Sequence, residues 1–297
     1  SHGISVDLID VFWKIPIVSY GTPSEGVVKK QMKFNSLTQK DLQEVQDNLK
    51  NYTCVEQNII TSIDNPSGRI KFKDIRKVSI GLCKKDIISY RSKKKSAFYN
   101  CFVIIIRLLE NELFKEYHVK VFNTGKLEIP GIQSEETFEN ILTNVINILN
   151  NIVEKEIKIQ TDKTHTVLIN SNFNCGFFIN REILFNILKV DYKLDCIYDP
   201  CSYPGIQCKF FYYEGLIEQK GVQQSELSGE IEVSFMIFRT GSVLIVGKCN
   251  ESVLKNIYEF LKNILATEFK RICIKTIDSQ TITKQKVTKT RKKIITV

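Results

Sequence analysis

The sequence lacks the residue patterns that the common enzyme classes require. Its three histidines (His2, His118 and His165) have no carboxylate or nucleophile at motif spacing. Glycine-rich phosphate loops, metalloprotease motifs and nucleophile elbows are absent from the sequence. No apolar run approaches the ~18 residues that a membrane-spanning helix requires. We therefore expect no enzyme, no cofactor, no small-molecule substrate and no membrane protein.

The chain has nine cysteines, an odd number, and they are scattered. This distribution favours a reduced, intracellular protein over one built on disulfides. Cys196, Cys201 and Cys208, with His165 as a fourth ligand, could form a zinc site. Their spacing lacks the close cysteine pairs of structural zinc sites, so we expect no metal.

Positive charge exceeds negative charge along the chain. The net charge of +9 and the pI near 9.0 suggest an anionic partner. Basic residues concentrate at 91–95 and 284–293. Such runs are most often solvated segments or localisation signals, and only sometimes DNA contacts.

One pattern occurs twice, at 122–125 (Phe-Asn-Thr-Gly) and at 238–241 (Phe-Arg-Thr-Gly). Alternating apolar runs flank each Thr-Gly, which predicts a β-hairpin whose glycine has a positive φ. A helical pattern follows each hairpin, with Ser134 and Asn250 as the predicted N-caps. The constant spacing of 116 residues predicts two copies of one strand–turn–strand–helix unit, related by pseudo-two-fold symmetry.

The remaining patterns divide the chain into four parts. We predict an N-terminal extension (1–24), a first repeat (25–157, with an insertion at about 50–96), a second repeat (158–275) and a basic tail (276–297). A strand at 26–36 is predicted to open the first repeat, and Thr38 is predicted to cap the helix that follows it.

Taken together, these motifs resemble the TATA-box-binding protein (TBP) family, in the divergent form carried by large DNA viruses. Besides the two turns, the matching segments are 104–108 (Ile-Ile-Ile-Arg-Leu), 168–170 (Leu-Ile-Asn) and 203–206 (Tyr-Pro-Gly-Ile). The resemblance covers most of 26–270. It implies an α+β saddle, in which two pseudo-symmetric repeats form one curved antiparallel sheet with helices on the convex face. The concave face of such a saddle binds the DNA minor groove.

The resemblance also implies DNA-binding residues. Aromatic side chains of the family unstack base steps and kink the duplex. The corresponding positions here are Phe122, Phe238, Tyr203 and Cys101, with Tyr99 and Phe102 beside Cys101 as substitutes. The other implied contacts to the groove and to phosphates are Pro204, Asn170, Arg107, Lys126, Thr124, Lys209, Met236, Thr240, Leu244 and Val246. The alternatives are that the aromatic residues belong to the core and that Asn170 caps a turn.

The first repeat departs from the family pattern. Lys120 and Glu128 replace apolar groove positions, Pro130 replaces a threonine, and valines (Val27, Val28) replace a groove asparagine. A carboxylate at the floor of a minor groove should be repelled and poorly solvated. Two functions therefore remain open. One is a general transcription initiation factor that binds and bends AT-rich promoter DNA and nucleates a polymerase complex. The other is a protein–protein interaction module of a viral transcription machinery, with reduced or altered DNA binding.

A long loop of the second repeat is the predicted protein-binding site. It begins with Glu214, Leu216 and Glu218, which combine exposed apolar and acidic character. The resemblance implies a transcription-factor-IIB-like protein and RNA polymerase as partners, beside double-stranded promoter DNA. It also implies an intracellular location: the host nucleus, a cytoplasmic viral factory or the virion.

Overall fold

The computed structural model describes residues 7–89, 98–154, 156–224 and 228–274. The basic run at 91–95 and the predicted tail at 276–297 lie outside these residues. The chain divides into two compact units, and the sequence passes from the first to the second between Ile159 and Gln160. Among the described helices, none has the length and apolar character needed to cross a membrane.

The first unit contains one antiparallel sheet with the strand order β2-β3-β1-β4-β5-β6. Its elements are α1 (Leu8–Lys14), β1 (Gly26–Ser36), α2 (Gln39–Leu49), β2 (Val55–Asp64), β3 (Phe72–Gly81), α3 (Lys84–Ile88), β4 (Cys101–Glu110), β5 (Leu113–Phe122), β6 (Leu127–Glu128) and α4 (Glu135–Asn150). Apolar residues of α1, α2 and α4 pack against one face of this sheet and form a single core with it. The sheet therefore has a helix-covered face and an opposite face.

The second unit contains a five-stranded antiparallel sheet with the order β7-β11-β10-β9-β8. After a 3₁₀ turn (Thr161–Lys163), its elements are β7 (Ile169–Asn174), α5 (Arg181–Asn186) with a π-helical turn (Ile187–Asp191), β8 (Asp195–Ile197), β9 (Gly205–Tyr213), β10 (Glu230–Phe238), β11 (Ser242–Gly247), α6 (Glu251–Thr267) and α7 (Phe269–Ile272). The helices again share one core with one face of the sheet. The α+β class with helices on one face of antiparallel sheets is thus confirmed.

The predicted repeat is present in both units. The glycines of the two Thr-Gly turns, Gly125 and Gly241, have φ values of 78° and 81°. Ser134 Oγ accepts a hydrogen bond from the amide of Thr137 at the start of α4, and Asn250 Oδ1 accepts one at the start of α6. Both predicted caps are therefore confirmed, and the same hairpin-and-helix unit occurs twice.

The strand order corrects the predicted start of the first repeat. In the second unit the opening strand β7 pairs with β11, the strand that follows the Thr-Gly turn. The sequence predicted β1 as its counterpart, but β1 pairs with β3 and β4 instead. By its position in the sheet, β1 corresponds to β8. Helix α1 packs against β4 as α5 packs against β9, so these two helices also correspond. The extra elements of the first unit, from α2 to α3, therefore lie between β1 and β4.

A buried lysine fixes α1 to the first unit. Lys30 on β1 is fully buried, and its Nζ donates hydrogen bonds of 2.8 Å to the carbonyls of Phe12 and Ile15 at the C-terminal end of α1. It also donates to Tyr52 Oη, which belongs to the inserted segment. Burial lowers the pKa of Lys30 to about 8. The segment before residue 25 is thus an integral part of the first unit.

Candidate nucleic-acid interface

The second unit presents an open sheet face. Along β10 and β11, every second residue is buried against the helices, and the residues between them stay partly exposed. On the edge strand β7 the side chains on this open face are exposed. The open face carries Asn170, Asn172, Asn174, Asp195, Ile197, Gln207, Lys209, Ser234, Met236, Ser242, Leu244 and Val246. The apolar groups of Met236, Leu244 and Val246 suit contact with the edges of A·T base pairs.

The strand register arranges these side chains in two rows across the sheet. The first row contains Asn170, Val246, Ser234 and Lys209 and ends in Asp195 on β8. The second row contains Asn172, Leu244, Met236 and Gln207 and ends in Ile197 on β8. Five of the residues predicted from the resemblance, Asn170, Lys209, Met236, Leu244 and Val246, are therefore brought together on one surface.

Two predicted wedge residues lie side by side at one end of this face. The ring centroids of Tyr203 and Phe238 are 5.8 Å apart, and both rings are half-buried. Gly205 is the register partner of Phe238, and a Cβ at this glycine would lie 3.0 Å from the Phe238 ring and 3.1 Å from the Tyr203 ring. Glycine at 205 therefore leaves the space that the aromatic pair occupies.

The loop that carries Tyr203 is held by several hydrogen bonds. The amide of Tyr203 donates to the carbonyl of Asp199 at 2.9 Å. Arg181 of α5 donates to the carbonyl of Pro204, and its guanidinium lies 5.4 Å from the centroid of the Tyr198 ring. Pro204 itself is exposed. Tyr203 thus sits on a loop whose backbone is anchored to α5, while Phe238 is held at the end of β10.

Charge on the open face is partly balanced within the sheet. Lys209 Nζ lies 3.2 Å from a carboxylate oxygen of Glu232, and both side chains are about half exposed. An exposed pair of this kind contributes little stability, so a phosphate could compete for the lysine. Thr240, in the turn after β10, is exposed and donates to Ser242 Oγ.

Part of the corresponding face of the first unit is covered. We call residues 17–25 together with α3 the cover segments, because the backbone at 20–24 and α3 bind Arg107 and Lys29 on this face, opposite α1, α2 and α4. Arg107 on β4 is 5% exposed and donates to the carbonyls of Tyr20, Thr22 and Ser24. This corrects the prediction for Arg107, because its donors are occupied by backbone and its charge is buried away from any phosphate.

Helix α3 covers the same face through an ion pair. Lys29 Nζ lies 2.8 Å from Asp86, and Cys83 packs in a small cluster with Val28 and Ile105. Burial, together with the hydrogen bond to Asp86, raises the pKa of Cys83 to about 11. Burial opposes ionisation of Asp86, but hydrogen bonds from Cys83 and Lys29 outweigh it and lower the pKa of the carboxyl.

Two further predictions for the first repeat do not hold. The Phe102 side chain is completely buried in the helix-side core, because its position alternates onto that face of β4. Cys101, the register partner of Phe122, is 4% exposed and has no aromatic ring to insert. Tyr99, two residues earlier, occupies the position that corresponds to Tyr203, and Lys33 Nζ lies 3.5 Å from the centroid of its ring. Tyr99 is 53% exposed, but among the described residues its ring is not in contact with that of Phe122, whereas the rings of Tyr203 and Phe238 lie side by side.

The remaining predicted residues of the first repeat lie at the β5–β6 turn. Phe122 is half-buried at the end of β5, and Thr124 and Lys126 are exposed in the turn. Glu128 and Lys120 are register partners, and their charged atoms are 2.6 Å apart. The two departures from the family pattern thus compensate each other's charge.

The predicted protein-binding residues Glu214, Leu216 and Glu218 are exposed in the loop after β9. The side chain of Gln219 holds this loop to the end of β9, with Nε2 donating to the carbonyl of Tyr213 and Oε1 accepting from its amide. The loop begins at the C-terminal end of β9, whereas Tyr203 precedes the N-terminal end. The loop and the aromatic pair therefore lie at opposite ends of the strand.

Sequence reasoning missed, among others, three residues of the candidate site. Asn172 and Gln207 face outward in the second row, and Gly205 supports the aromatic pair. Asn172 could have been found from Asn170 and Gln207 from Lys209, because residues two apart on a strand share a face. The role of Gly205 could not, because it depends on the register between β9 and β10.

Comparison with known proteins finds a sequence relative whose description agrees with the resemblance. No family model matches the sequence. A protein of Acanthamoeba polyphaga mimivirus described as TATA-box-binding protein-like is 27% identical over 205 residues, which are 64% of this chain and 54% of that protein. The chain thus spans about half the length of this relative. Among solved structures, Methanococcus jannaschii TBP matches 86% of this chain and 99% of its own, at 18% identity and a TM-score of 0.33. The chain is thus similar, over about two thirds of its length, to a viral protein described as TATA-box-binding protein-like.

Proposed function

We propose that this protein is a DNA-binding general transcription initiation factor. In this proposal the open face of the second unit lies on the minor groove of AT-rich promoter DNA. The Tyr203–Phe238 pair enters a base step and bends the duplex. The DNA-bound protein then nucleates a polymerase complex.

The observation that carries this proposal is the open face itself. Leu244, Met236 and Val246 provide an apolar floor between Asn170 on one side and Lys209 on the other. Minor-groove binders combine such apolar surface with a few polar readers and inserted wedges. The aromatic pair lies at the end of the same surface, where it can meet a base step beyond the floor.

The covered first unit supports a second candidate function. Arg107 and Lys29 are buried on its face and bound to the cover segments, so they are not available to DNA without movement of those segments. A protein with one groove-binding unit would have reduced or altered DNA binding and would act mainly by docking other proteins. The exposed acidic loop at Glu214 and Glu218 would then contact a basic partner, for which we propose a transcription-factor-IIB-like protein.

A binding assay tests the two functions against each other. The full chain is titrated onto AT-rich and GC-rich duplexes of equal length, across a salt series, with fluorescence anisotropy as the readout. Groove binding predicts tighter binding to the AT-rich duplex at every salt concentration. Equal affinity with a steep salt dependence would indicate only backbone attraction by lysines and would favour the interaction module.

The partner is tested by charge reversal in the loop. The double variant Glu214→Lys with Glu218→Lys should lose co-purification with the transcription-factor-IIB-like protein and keep its DNA affinity. The matched control reverses Glu259, an acidic residue on α6 outside the loop. If the Glu259 control also lost co-purification with the partner, or if neither variant lost it, the loop would be excluded as the docking site.

A further inference from the structure

The second row of the open face has a carboxamide on each side of an apolar pair. Asn172 on β7 and Gln207 on β9 are separated by Leu244 and Met236, and beyond Gln207 the row ends in the exposed Ile197 of β8. A carboxamide offers an acceptor oxygen as well as two N–H donors. The aliphatic and thioether groups between the two carboxamides offer no strong hydrogen-bonding group. The two carboxamide positions therefore differ chemically from the apolar pair between them.

Both carboxamides are available to a ligand. Asn172 and Gln207 are exposed, and neither side chain has a hydrogen-bond partner among residues 7–89, 98–154, 156–224 and 228–274. Asn174, the next outward residue of β7, is different. Its Oδ1 accepts from the amide of Gly176 at 2.7 Å, and its Nδ2 donates to the carbonyl of Thr240 at 3.3 Å. The Asn174 side chain thus stabilises the adjacent turns, whereas the carboxamides of Asn172 and Gln207 face outward without such bonds.

The minor groove distinguishes base pairs by one group. A·T pairs present only acceptors there, and G·C pairs add the donor of the guanine 2-amino group. An amino group over Leu244 or Met236 would be buried without an acceptor, which is unfavourable. An amino group over Asn172 or Gln207 would meet the carboxamide oxygen. Together the four residues can exclude this group at the centre and accept it at the sides.

Resting on the groove binding proposed above, we propose that Asn172 and Gln207 select a purine 2-amino group at defined positions of the site. The preferred duplex is then not uniformly A·T. It contains a G·C pair at one or two positions, flanking steps that must be A·T.

Base analogues test this selection directly. At each position of an AT-rich duplex, four pairs are compared by fluorescence anisotropy: A·T, 2,6-diaminopurine·T, G·C and inosine·C. The second and third pairs carry the minor-groove amino group, and the first and fourth lack it. We expect the amino-bearing pairs to bind about 2–10-fold more tightly at one or two positions, as one added hydrogen bond would give. Elsewhere in the site they should bind more weakly.

Substitutions test whether Asn172 and Gln207 cause the preference for the amino group. Asn172→Val should abolish it at one position, and Gln207→Val should abolish it at the other. Both residues are exposed strand positions, where valine is well tolerated. The control is Asn263→Ala, which removes an exposed carboxamide on α6. Circular dichroism melts confirm that each variant is folded.

The outcomes separate this inference from the proposed function. If pairs without the amino group bind more tightly at every position, the inference is overturned and groove binding stands. If wild-type protein prefers the amino group but both valine variants retain that preference, the assignment to these residues is overturned. If no duplex is bound beyond a salt-sensitive background, the proposed function fails, and the inference fails with it.

Discussion

The two units share one hairpin-and-helix architecture but differ in what lies on the second face of the sheet. In the first unit, charged residues of that face are turned inward and bind parts of the same chain: Arg107 binds the backbone at 20–24, and Lys29 binds Asp86. In the second unit the same face exposes asparagines, an apolar floor and an aromatic pair. The two copies of the fold therefore share the helix-side core, while the opposite face of the sheet differs in its contacts and exposed groups.

The largest expected effect is on the bending of bound DNA. Replacing Tyr203 and Phe238 together by alanine should remove most of the bending of the duplex, because the ring pair at the end of the open face is lost. Tyr99→Ala with Phe122→Ala is the matched double variant in the first unit and should reduce bending less, because Lys33 lies against the Tyr99 ring and the register partner of Phe122 is the buried Cys101. Fluorescence transfer between the ends of a labelled duplex measures both. Equal losses in the two variants would mean that the units act alike.

The next effect is on the cover of the first unit. Arg107→Met should lower the free energy of unfolding by about 1–3 kcal/mol, because charge-assisted hydrogen bonds to three carbonyls are lost. Urea denaturation measures this change. Amide hydrogen exchange at 17–25 should become faster in the variant, while exchange in β10 stays unchanged. Unchanged exchange at 17–25 would show that Arg107 does not hold this segment.

A smaller effect follows from pH. The pKa of Asp86 is lowered in the folded state, so its contribution to stability is present above the ordinary carboxyl pKa. It is lost as pH falls below about 4 toward the folded pKa. Wild type should therefore exceed Asp86→Asn in stability at pH 7, and the gap should narrow at pH 3. A gap that stays constant with pH would contradict a role for the ionised carboxylate.

The smallest effect concerns Glu128. Because its charge is balanced by Lys120, Glu128→Val should raise affinity for AT-rich DNA only slightly, by leaving Lys120 unpaired. The gain should disappear at high salt. Glu128→Gln is the control, since it removes the charge and keeps the shape. A loss of affinity in both variants would mean that the ion pair organises the β5–β6 turn.

Local patterns predicted the parts of the fold that depend on neighbouring residues. The Thr-Gly turns, the N-caps Ser134 and Asn250 and the helices α4 and α6 follow from side chains close in sequence, and all are present. The place of β1 as the opening strand of the repeat was predicted wrongly, because alternation within a strand defines its faces and not its neighbours.

The same distinction applies to the candidate site. The open-face residues of β10 and β11 follow from alternation alone, and the structure brings them together. The roles of Arg107 and Phe102 depend on which face each residue occupies and on the segments that cover it. Such coverage involves residues more than 80 positions apart, as between Arg107 and Ser24, so no local pattern could reveal it.

The inserted strands β2 and β3 also change which strand forms the edge of the first sheet. In the second unit the margin beside β9 is β8, only three residues long, and so short an edge offers little backbone for another chain to pair with. In the first unit the corresponding strand β1 lies inside the sheet, and the ten-residue β2 forms the margin. A register shift between Ile59 and Thr61 interrupts β2, and both Ile59 and Ile60 are exposed beside it. The insertion thus replaces a short edge strand by a long one. The register shift in β2 makes this edge irregular, which disfavours pairing with a second copy of the chain.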